Sequence, residues 1–241
     1  MIVLVGVGHV FDISDQVRGL IVKHMPRAVC IELDPARYDT LLHPGRESKA
    51  PVTYRLLARF QKRMAREFGV EAGNEMLSAA KTAREIGADV LLIDADASAL
   101  FMQLWREMPA KERIYLMFSA ITGFFVSRDR VEKELEKFEK NEEKYLREIG
   151  EQFPTLKRVL IDDRNKLMAA RIEKASQMYD GVLAVVGDGH IEGISKLLAG
   201  SDVQVYRLRD LIESAKPETA GSSGANAVAD AHFSYTYEEA P

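Results

Sequence analysis

Five short apolar runs along the chain predict the strands of a buried sheet. The runs are rich in Val, Ile and Leu, and apolar character that is continuous rather than alternating is typical of strands covered on both faces. The runs are Ile2–Val5, Ala28–Leu33, Asp89–Ile93, Val182–Val186 and Val203–Leu208. Longer segments with helical periodicity separate them, so the pattern predicts an α/β fold, a mostly parallel β-sheet flanked by helices.

Two helix starts are marked by residues that can cap them. Ser14 precedes Asp15, and Asp34 precedes Pro35, so each places a side-chain oxygen beside the free amides of a first turn. We therefore expect helices to begin after both residues, and we interpret Asp34 as a cap rather than a ligand.

The segments between strands predict a helical insertion at about 51–126 and a helical hairpin at about 128–178. Within the insertion, the apolar stretch from Ile114 to Val126 is too short to span a bilayer, and we interpret it as core or as a subunit contact. In the hairpin, two apolar stripes recur at helical spacing. They comprise Val131, Leu135, Phe138, Tyr145 and Ile149, then Leu156, Leu160, Leu167 and Ile172.

We expect one α/β domain over residues 1–214 and a flexible C-terminal tail over 215–241. The tail is rich in small and polar residues, which cannot bury enough apolar surface to fold alone. Its Phe233, Tyr235 and Tyr237 alternate as in a short strand, which could pair with a sheet edge of this chain or of a second copy. A homodimer formed through the hairpin or the tail is therefore a prediction.

Composition narrows the class of protein. The 241 residues are 46% hydrophobic and carry a net charge of −4 with acids and bases mixed, which argues against a nucleic-acid partner.

The chain begins without a basic, apolar leader, and no apolar run reaches the length of a membrane span. The one cysteine, Cys30, lies in an apolar run and suits a reducing compartment. We expect a cytoplasmic protein with no membrane span.

One motif, a strand followed by Gly-x-x-His, occurs near each end of the chain. The first copy contains Gly6, Gly8 and His9, and the second contains Gly187, Gly189 and His190. Glycines allow a sharp turn and close approach of a substrate to the backbone, and they set each imidazole at the carboxyl end of a strand. Ligands of open α/β sheets bind at that edge, so we expect the two histidines to converge on one site with the four glycines against the substrate.

A carboxylate and an arginine are the candidates to complete this site. Two imidazoles suit zinc, manganese or cobalt, and an enzymatic metal site usually has a third protein ligand. Glu32 ends a buried run, where an unpaired carboxylate is costly, so a metal or a buried arginine should accompany it. Arg164 shares a helical face with Met168 and Ala175. It could pair with Glu32 in a structural ion pair, or bind a substrate carboxylate or phosphate.

These motifs, taken in order, resemble those of the TraB/PrgY/GumN family, which includes pheromone-shutdown proteins and is related to the Tiki metalloproteases. The likeness spans roughly Val3 to Leu208. It rests on the Gly6–His9 loop, Cys30–Asp34 with Arg37, Asp163–Asn165, and the segment from Val185 to His190 with Gly193. The resemblance implies an EreA/ChaN-like α/β fold with Glu32 and both histidine loops at the active site. In the Tiki branch it implies metal-dependent proteolysis.

The chain departs from the family pattern at two places. The family usually has Glu-Arg-Asp where this chain has Asp163-Arg164-Asn165. It usually has Asp-Arg-Asp where this chain has Asp94-Ala95-Asp96, so a second arginine is missing. If these groups bind substrate or polarise a carbonyl, specificity and turnover will differ from those of the family.

Three functions are consistent with the motifs. The leading hypothesis is metal-assisted hydrolysis of a peptide or another small acyl substrate, with His9, His190 and Glu32 holding a divalent metal. Arg164 would stabilise the oxyanion or anchor a substrate carboxylate, and Glu32 could instead be the general base. The alternatives are an anion-binding module at the helix that follows Gly187, and a metal-independent, esterase-like hydrolase that uses histidine and glutamate.

Overall fold

The computed structural model describes residues 1–8, 13–43, 74–123 and 150–215. Five strands in this part of the chain form one parallel sheet in the order β3-β2-β4-β1-β5. The strands are β1 (Ile2–Val7), β2 (Ala28–Ile31), β3 (Asp89–Leu92), β4 (Val182–Gly187) and β5 (Val203–Tyr206). All five predicted runs are therefore confirmed as strands, and the α/β fold with its parallel sheet is confirmed with them.

Helices follow or precede every described strand. They are α1 (Ser14–His24), α2 (Pro35–Leu42), α3 (Asn74–Glu85), α4 (Ala97–Glu107), α5 (Ala110–Gly123), α6 (Pro154–Lys157), α7 (Asp163–Met178), α8 (Asp188–Leu197) and α9 (Leu208–Ala215). A π turn, Arg158–Asp162, joins α6 to α7. None of the helices in the described part of the chain is long and apolar enough to cross a membrane.

Side chains of the central strands alternate between two buried faces, which explains why their sequences are apolar without a break. On one face, β1, β2 and β4 pack against α1, α3 and α9. On the other face, the same strands pack against α7 and α8. Cys30 lies on this second face, fully buried, and burial raises the pKa of its thiol to about 12, so it behaves as a small apolar residue.

The two predicted helix caps have different outcomes. Asp34 caps α2 as predicted, because its Oδ1 accepts hydrogen bonds from the amides of Ala36 at 2.9 Å and Arg37 at 3.0 Å. The prediction for Ser14 is wrong by one position. Ser14 is already the first residue of α1, and Ile13 occupies the capping position with no side-chain cap.

The second half of the predicted hairpin is helical but changes phase at the π turn. The amide of Asp163 donates to the carbonyl of Arg158, five residues back, and the following helix is rotated by this wider turn. Leu156 and Ile172 are buried as the stripe predicts, whereas Leu160 and Leu167 are only half-buried. Arg164 is buried on the same side of α7 as Met168 and Ala175, as predicted from their spacing.

Several predictions fall wholly or partly on residues outside the described ranges. They concern His9, the insertion over 51–73, the first half of the hairpin over 128–149, and the tail beyond 215. Of the apolar stretch that begins at Ile114, the described start is not core, because Ile114 is 69% exposed and Tyr115 is 51% exposed. Its alternative reading as a subunit contact stays a prediction, as does the homodimer.

Candidate functional site

Polar residues gather where the parallel strands end. Glu32 directly follows β2, and its amide still donates to the Val185 carbonyl of β4 at 3.1 Å. Asp94 follows β3 by two residues, and His190 lies in the first turn of α8, directly after β4. Because neighbouring parallel strands end at the same edge of a sheet, these three side chains are brought to one place, as predicted for Glu32 and His190. All three are at least 94% buried.

Arg164 joins two carboxylates at this edge. Its guanidinium binds Asp94 in a bidentate pair, with Nε 2.9 Å from Oδ1 and Nη2 2.8 Å from Oδ2. Nη2 also donates to Oε1 of Glu32, and Nη1 donates to the Leu160 carbonyl of the π turn at 3.2 Å. Glu32 and Asp94 hold the pKa of Arg164 above its ordinary value, although burial alone would lower it. The guanidinium is thus a permanent buried cation that balances the negative charge of Glu32. A buried arginine is one of the two partners, the other being a metal, that the sequence predicts for this carboxylate.

Asp94 receives a second guanidinium, from Arg37. The Nη2 atom of Arg37 donates to Oδ2 of Asp94, and its Nε lies 2.6 Å from Oδ2 of Asp34. Burial alone would raise the pKa of Asp94, but Arg164 and Arg37 outweigh it and lower that pKa to about 2. Arg37 therefore supplies a second arginine at Asp94, at a site where the sequence has Ala95 in place of the arginine usual in the family.

His190 is held from two sides. Its Nδ1 lies 2.6 Å from Oδ1 of Asn165, and its Nε2 lies 3.5 Å from Oε1 of Glu32. Burial lowers the pKa of His190; the charge of Arg164 adds to this, while Glu32 and Asp94 oppose it. The imidazole is consequently neutral near pH 7, the form required of a metal ligand or a general base.

Glu32 is fixed at its other oxygen by the second histidine loop. The backbone amide of Gly187 donates to Oε2 of Glu32 at 2.6 Å. A Cβ atom at Gly187 would lie 3.4 Å from Oε2, so the loop approaches the carboxylate closely. The carboxylate is therefore positioned by β2, by α7 through Arg164, and by the β4–α8 turn.

The donor set fits a divalent cation in part. Two ligand atoms at about 2.0–2.2 Å from one zinc ion lie about 3–4 Å apart, and the 3.5 Å between Nε2 of His190 and Oε1 of Glu32 falls in that range. Among the described residues no group of three or more potential ligands lies together. His9, the other histidine predicted to bind the metal, lies outside those residues. Strands β1 and β4 are nevertheless adjacent, with Val7 paired to Gly187, so both histidine loops leave the same edge.

Gly6, at the start of the first histidine loop, packs tightly against Asp188 of the second. A Cβ atom at Gly6 would lie 2.1 Å from Oδ1 of Asp188, so only glycine fits there. Asp188 is anchored by Arg207, whose Nη2 lies 2.6 Å from Oδ2, and by the amide of Leu208 at 2.8 Å. A Cβ atom at Gly8 would likewise lie 2.5 Å from Leu208. Packing against the anchored Asp188 explains Gly6, whereas the Leu208 side chain near Gly8 could move aside.

Contact with a substrate stays a prediction for the glycines Gly6, Gly8, Gly187 and Gly189, and for Arg164. The structure brings Glu32, Arg164, His190 and Gly187 together, and it places Gly189 in the first turn of α8.

Sequence reasoning missed three members of the site. Asp94 belongs to a motif that lacks an arginine, and its place just after a strand at the same edge is a readable signal. Arg37 and Asn165 belong to motifs of the family resemblance, but the sequence does not show what they contact, because their partners lie 57 and 25 positions away along the chain. Only the fold reveals these contacts.

Fold and site together define a parallel α/β protein with a buried, ion-paired histidine site at the carboxyl ends of its strands. A model of the TraB/PrgY/gumN family matches residues 1–207, and the chain belongs to that family. An uncharacterized protein of Methanocaldococcus jannaschii is 30% identical over 225 residues, covering 86% of this chain and 56% of that protein. The chain thus spans about half the length of this curated relative.

Proposed function

We propose that the chain is a hydrolase of acyl bonds, acting on peptides or other small acyl compounds at the edge occupied by Glu32 and His190. One observation carries the proposal. Two buried groups that can bind a cation or transfer a proton, the imidazole of His190 and the carboxylate of Glu32, lie 3.5 Å apart from Nε2 to Oε1, in a site that a guanidinium and a backbone amide hold in place. A neutral imidazole and a carboxylate at this separation can hold a cation between them or pass a proton.

The side chains have distinct roles in this proposal. His190, neutral and buried, offers Nε2 to a metal or to a proton. Glu32 faces it and shares in holding the cation or in orienting water. Arg164 positions Glu32, since its described hydrogen bonds go to Glu32, Asp94 and Leu160. Burial of the site excludes bulk water, which strengthens these interactions.

His190, Glu32 and His9 would hold a divalent zinc, manganese or cobalt ion. Such an ion supplies a Lewis acid for the carbonyl oxygen and makes water a better nucleophile near neutral pH. Membership of a family related to the Tiki metalloproteases supports this choice of chemistry.

The test combines metal analysis with two hydrolysis probes. The purified full chain, loaded separately with zinc, manganese or cobalt, is assayed on p-nitrophenyl acetate and, by mass spectrometry, on a casein-derived peptide mixture. We expect one equivalent of metal per chain and hydrolysis of at least one probe that EDTA abolishes and the same metal restores. Hydrolysis of neither probe by a chain that holds its metal would overturn the proposal.

A second version of the hydrolase works without metal. It is favoured by one observation: both oxygens of Glu32 already accept hydrogen bonds, Oε1 from Arg164 and Oε2 from Gly187. His190 would then be the general base. Hydrolysis that persists unchanged in EDTA would select this version and reject the metal.

A further inference from the structure

His190 and Asn165 form a buried side-chain hydrogen bond that neither the family pattern nor the proposed chemistry assigns. The two residues come from α8 and α7 and are 5% and 6% exposed. The 2.6 Å between Nδ1 and Oδ1 is short for a bond of this type. A carboxamide oxygen can only accept, so the proton of this bond belongs to the imidazole.

We infer that Asn165 is a positioning residue that locks His190 in the tautomer protonated at Nδ1 and so reserves the Nε2 lone pair for the reaction centre. This role rests on the proposed function, because it matters only if Nε2 binds a metal or accepts a proton. It acts through His190 and involves no contact between Asn165 and the substrate.

The opposite side of the ring supports the same tautomer. Nε2 is 3.5 Å from Oε1 of Glu32, longer than the distances of about 2.7–3.2 Å typical of N–H···O bonds. That oxygen also accepts from Arg164 already. A proton on Nε2 would gain little there, whereas a proton on Nδ1 gains a short bond. A neutral histidine carries only one of these two ring protons, and the geometry favours the proton on Nδ1.

Gly193 fixes the orientation of the carboxamide. It lies in α8, close to His190 along the helix, and a Cβ atom there would be 2.2 Å from Nδ2 of Asn165 and 3.0 Å from its Cγ. The carboxamide is therefore pressed against the backbone of α8, with Nδ2 toward Gly193 and Oδ1 toward His190. An alanine at 193 would push the carboxamide away from the imidazole.

An amide suits this position because the site is already crowded with acids. Three buried carboxylates, those of Glu32, Asp34 and Asp94, lie among the two guanidinium groups of Arg37 and Arg164. A neutral acceptor orients the imidazole without adding a further buried negative charge, which would need its own partner. This explains why asparagine can stand where the family usually has aspartate.

Nitrogen NMR tests the inference without substrate or metal. The full chain is labelled with 15N-histidine, and long-range proton–nitrogen spectra at pH 7.5 show which ring nitrogen carries hydrogen; loss of a signal in His190→Ala assigns it among the five histidines. We expect His190 to be protonated at Nδ1 and bare at Nε2. In Asn165→Leu and in Gly193→Ala, this single tautomer should give way to a mixture or to the Nε2-protonated form.

Two matched variants separate positioning from general damage. Asn165→Asp keeps an acceptor oxygen and should retain the proton on Nδ1. Gly19→Ala adds a methyl group in α1, where no atom lies within 4 Å, and should leave the spectrum unchanged. A wild-type His190 protonated at Nε2, or a tautomer unchanged in Asn165→Leu, would overturn the inference.

A zinc titration distinguishes failure of the inference from failure of the proposed function. If His190 binds the metal, Asn165→Leu should weaken zinc affinity by about 10–100-fold. If the wild-type chain binds no zinc but shows the expected tautomer, the metal proposal fails and the positioning role of Asn165 stands.

Discussion

Replacement of Arg164 by methionine is expected to lower the free energy of unfolding by about 3–5 kcal/mol, the loss typical when one partner of a buried ion pair is removed. Arg164 is 2% exposed, and its guanidinium serves two carboxylates, Glu32 and Asp94, that are buried as deeply. Methionine fills much of the same volume, so the loss reports charges left unpaired rather than a cavity. Urea denaturation, monitored by circular dichroism, measures this loss of stability.

Arg158 offers the matched control on the same stretch of chain. It also pairs with two carboxylates, Glu107 and Asp163, but its side chain is 44% exposed. Water replaces such a partner readily, so Arg158→Met should change the urea midpoint little. If Arg164→Met were no more destabilised than Arg158→Met, the ion-pair network would not be what holds Glu32 in place.

Replacement of His190 by alanine is expected to reduce kcat for the hydrolysed probe by about 10²–10⁴-fold, the contribution typical of a positioned proton-transfer group. Nε2 of His190 lies 3.5 Å from Oε1 of Glu32 at the carboxyl edge, and burial lowers the pKa of His190, which keeps the imidazole neutral near pH 7. The measurement is the rate at saturating probe, with circular dichroism to confirm that the variant is folded.

His43→Ala is the control for that experiment. His43 is also a histidine at a helix end, but its side chain is 58% exposed and its ring forms hydrogen bonds with Asp39, one turn back in the same helix. The His43→Ala variant should hydrolyse the probe at the wild-type rate. A folded His190→Ala chain that also keeps the wild-type rate would remove His190 from the reaction.

The three central strands, β1, β2 and β4, could be predicted from the sequence because both of their faces are buried and nearly every residue is apolar. The edge strands β3 and β5 are partly exposed, and only their content of Val, Leu and Ile predicts them. Continuous apolar runs such as Ile2–Val5 and Val182–Val186 have few alternatives in a chain of this length. The pairing of Glu32 with Arg164 could likewise be predicted, since each residue carries a charge within an apolar pattern and a buried charge needs a partner.

Other features could not be predicted because they depend on how elements meet. The π turn at Arg158–Asp162 has no clear sequence signal, yet it sets the side of α7 that faces the sheet. Asn165 lies in a family motif, but its contacts depend on α8, which places His190 and Gly193 beside it. Ser14, in contrast, was predicted to be a cap and is not one. Its side chain has the right chemistry, but the residue lies one position too far into the helix.

Convergence of the two histidine loops is the central claim, and zinc anomalous diffraction from crystals of the full chain tests it most directly. Val7 of β1 pairs with Gly187 of β4, which brings the starts of both loops together. We expect one zinc peak at about 2.0–2.1 Å from a nitrogen of His9 and from Nε2 of His190, with those nitrogens about 3–4 Å apart. Electron density that shows His9 turned away from His190, with no zinc between them, would contradict the claim.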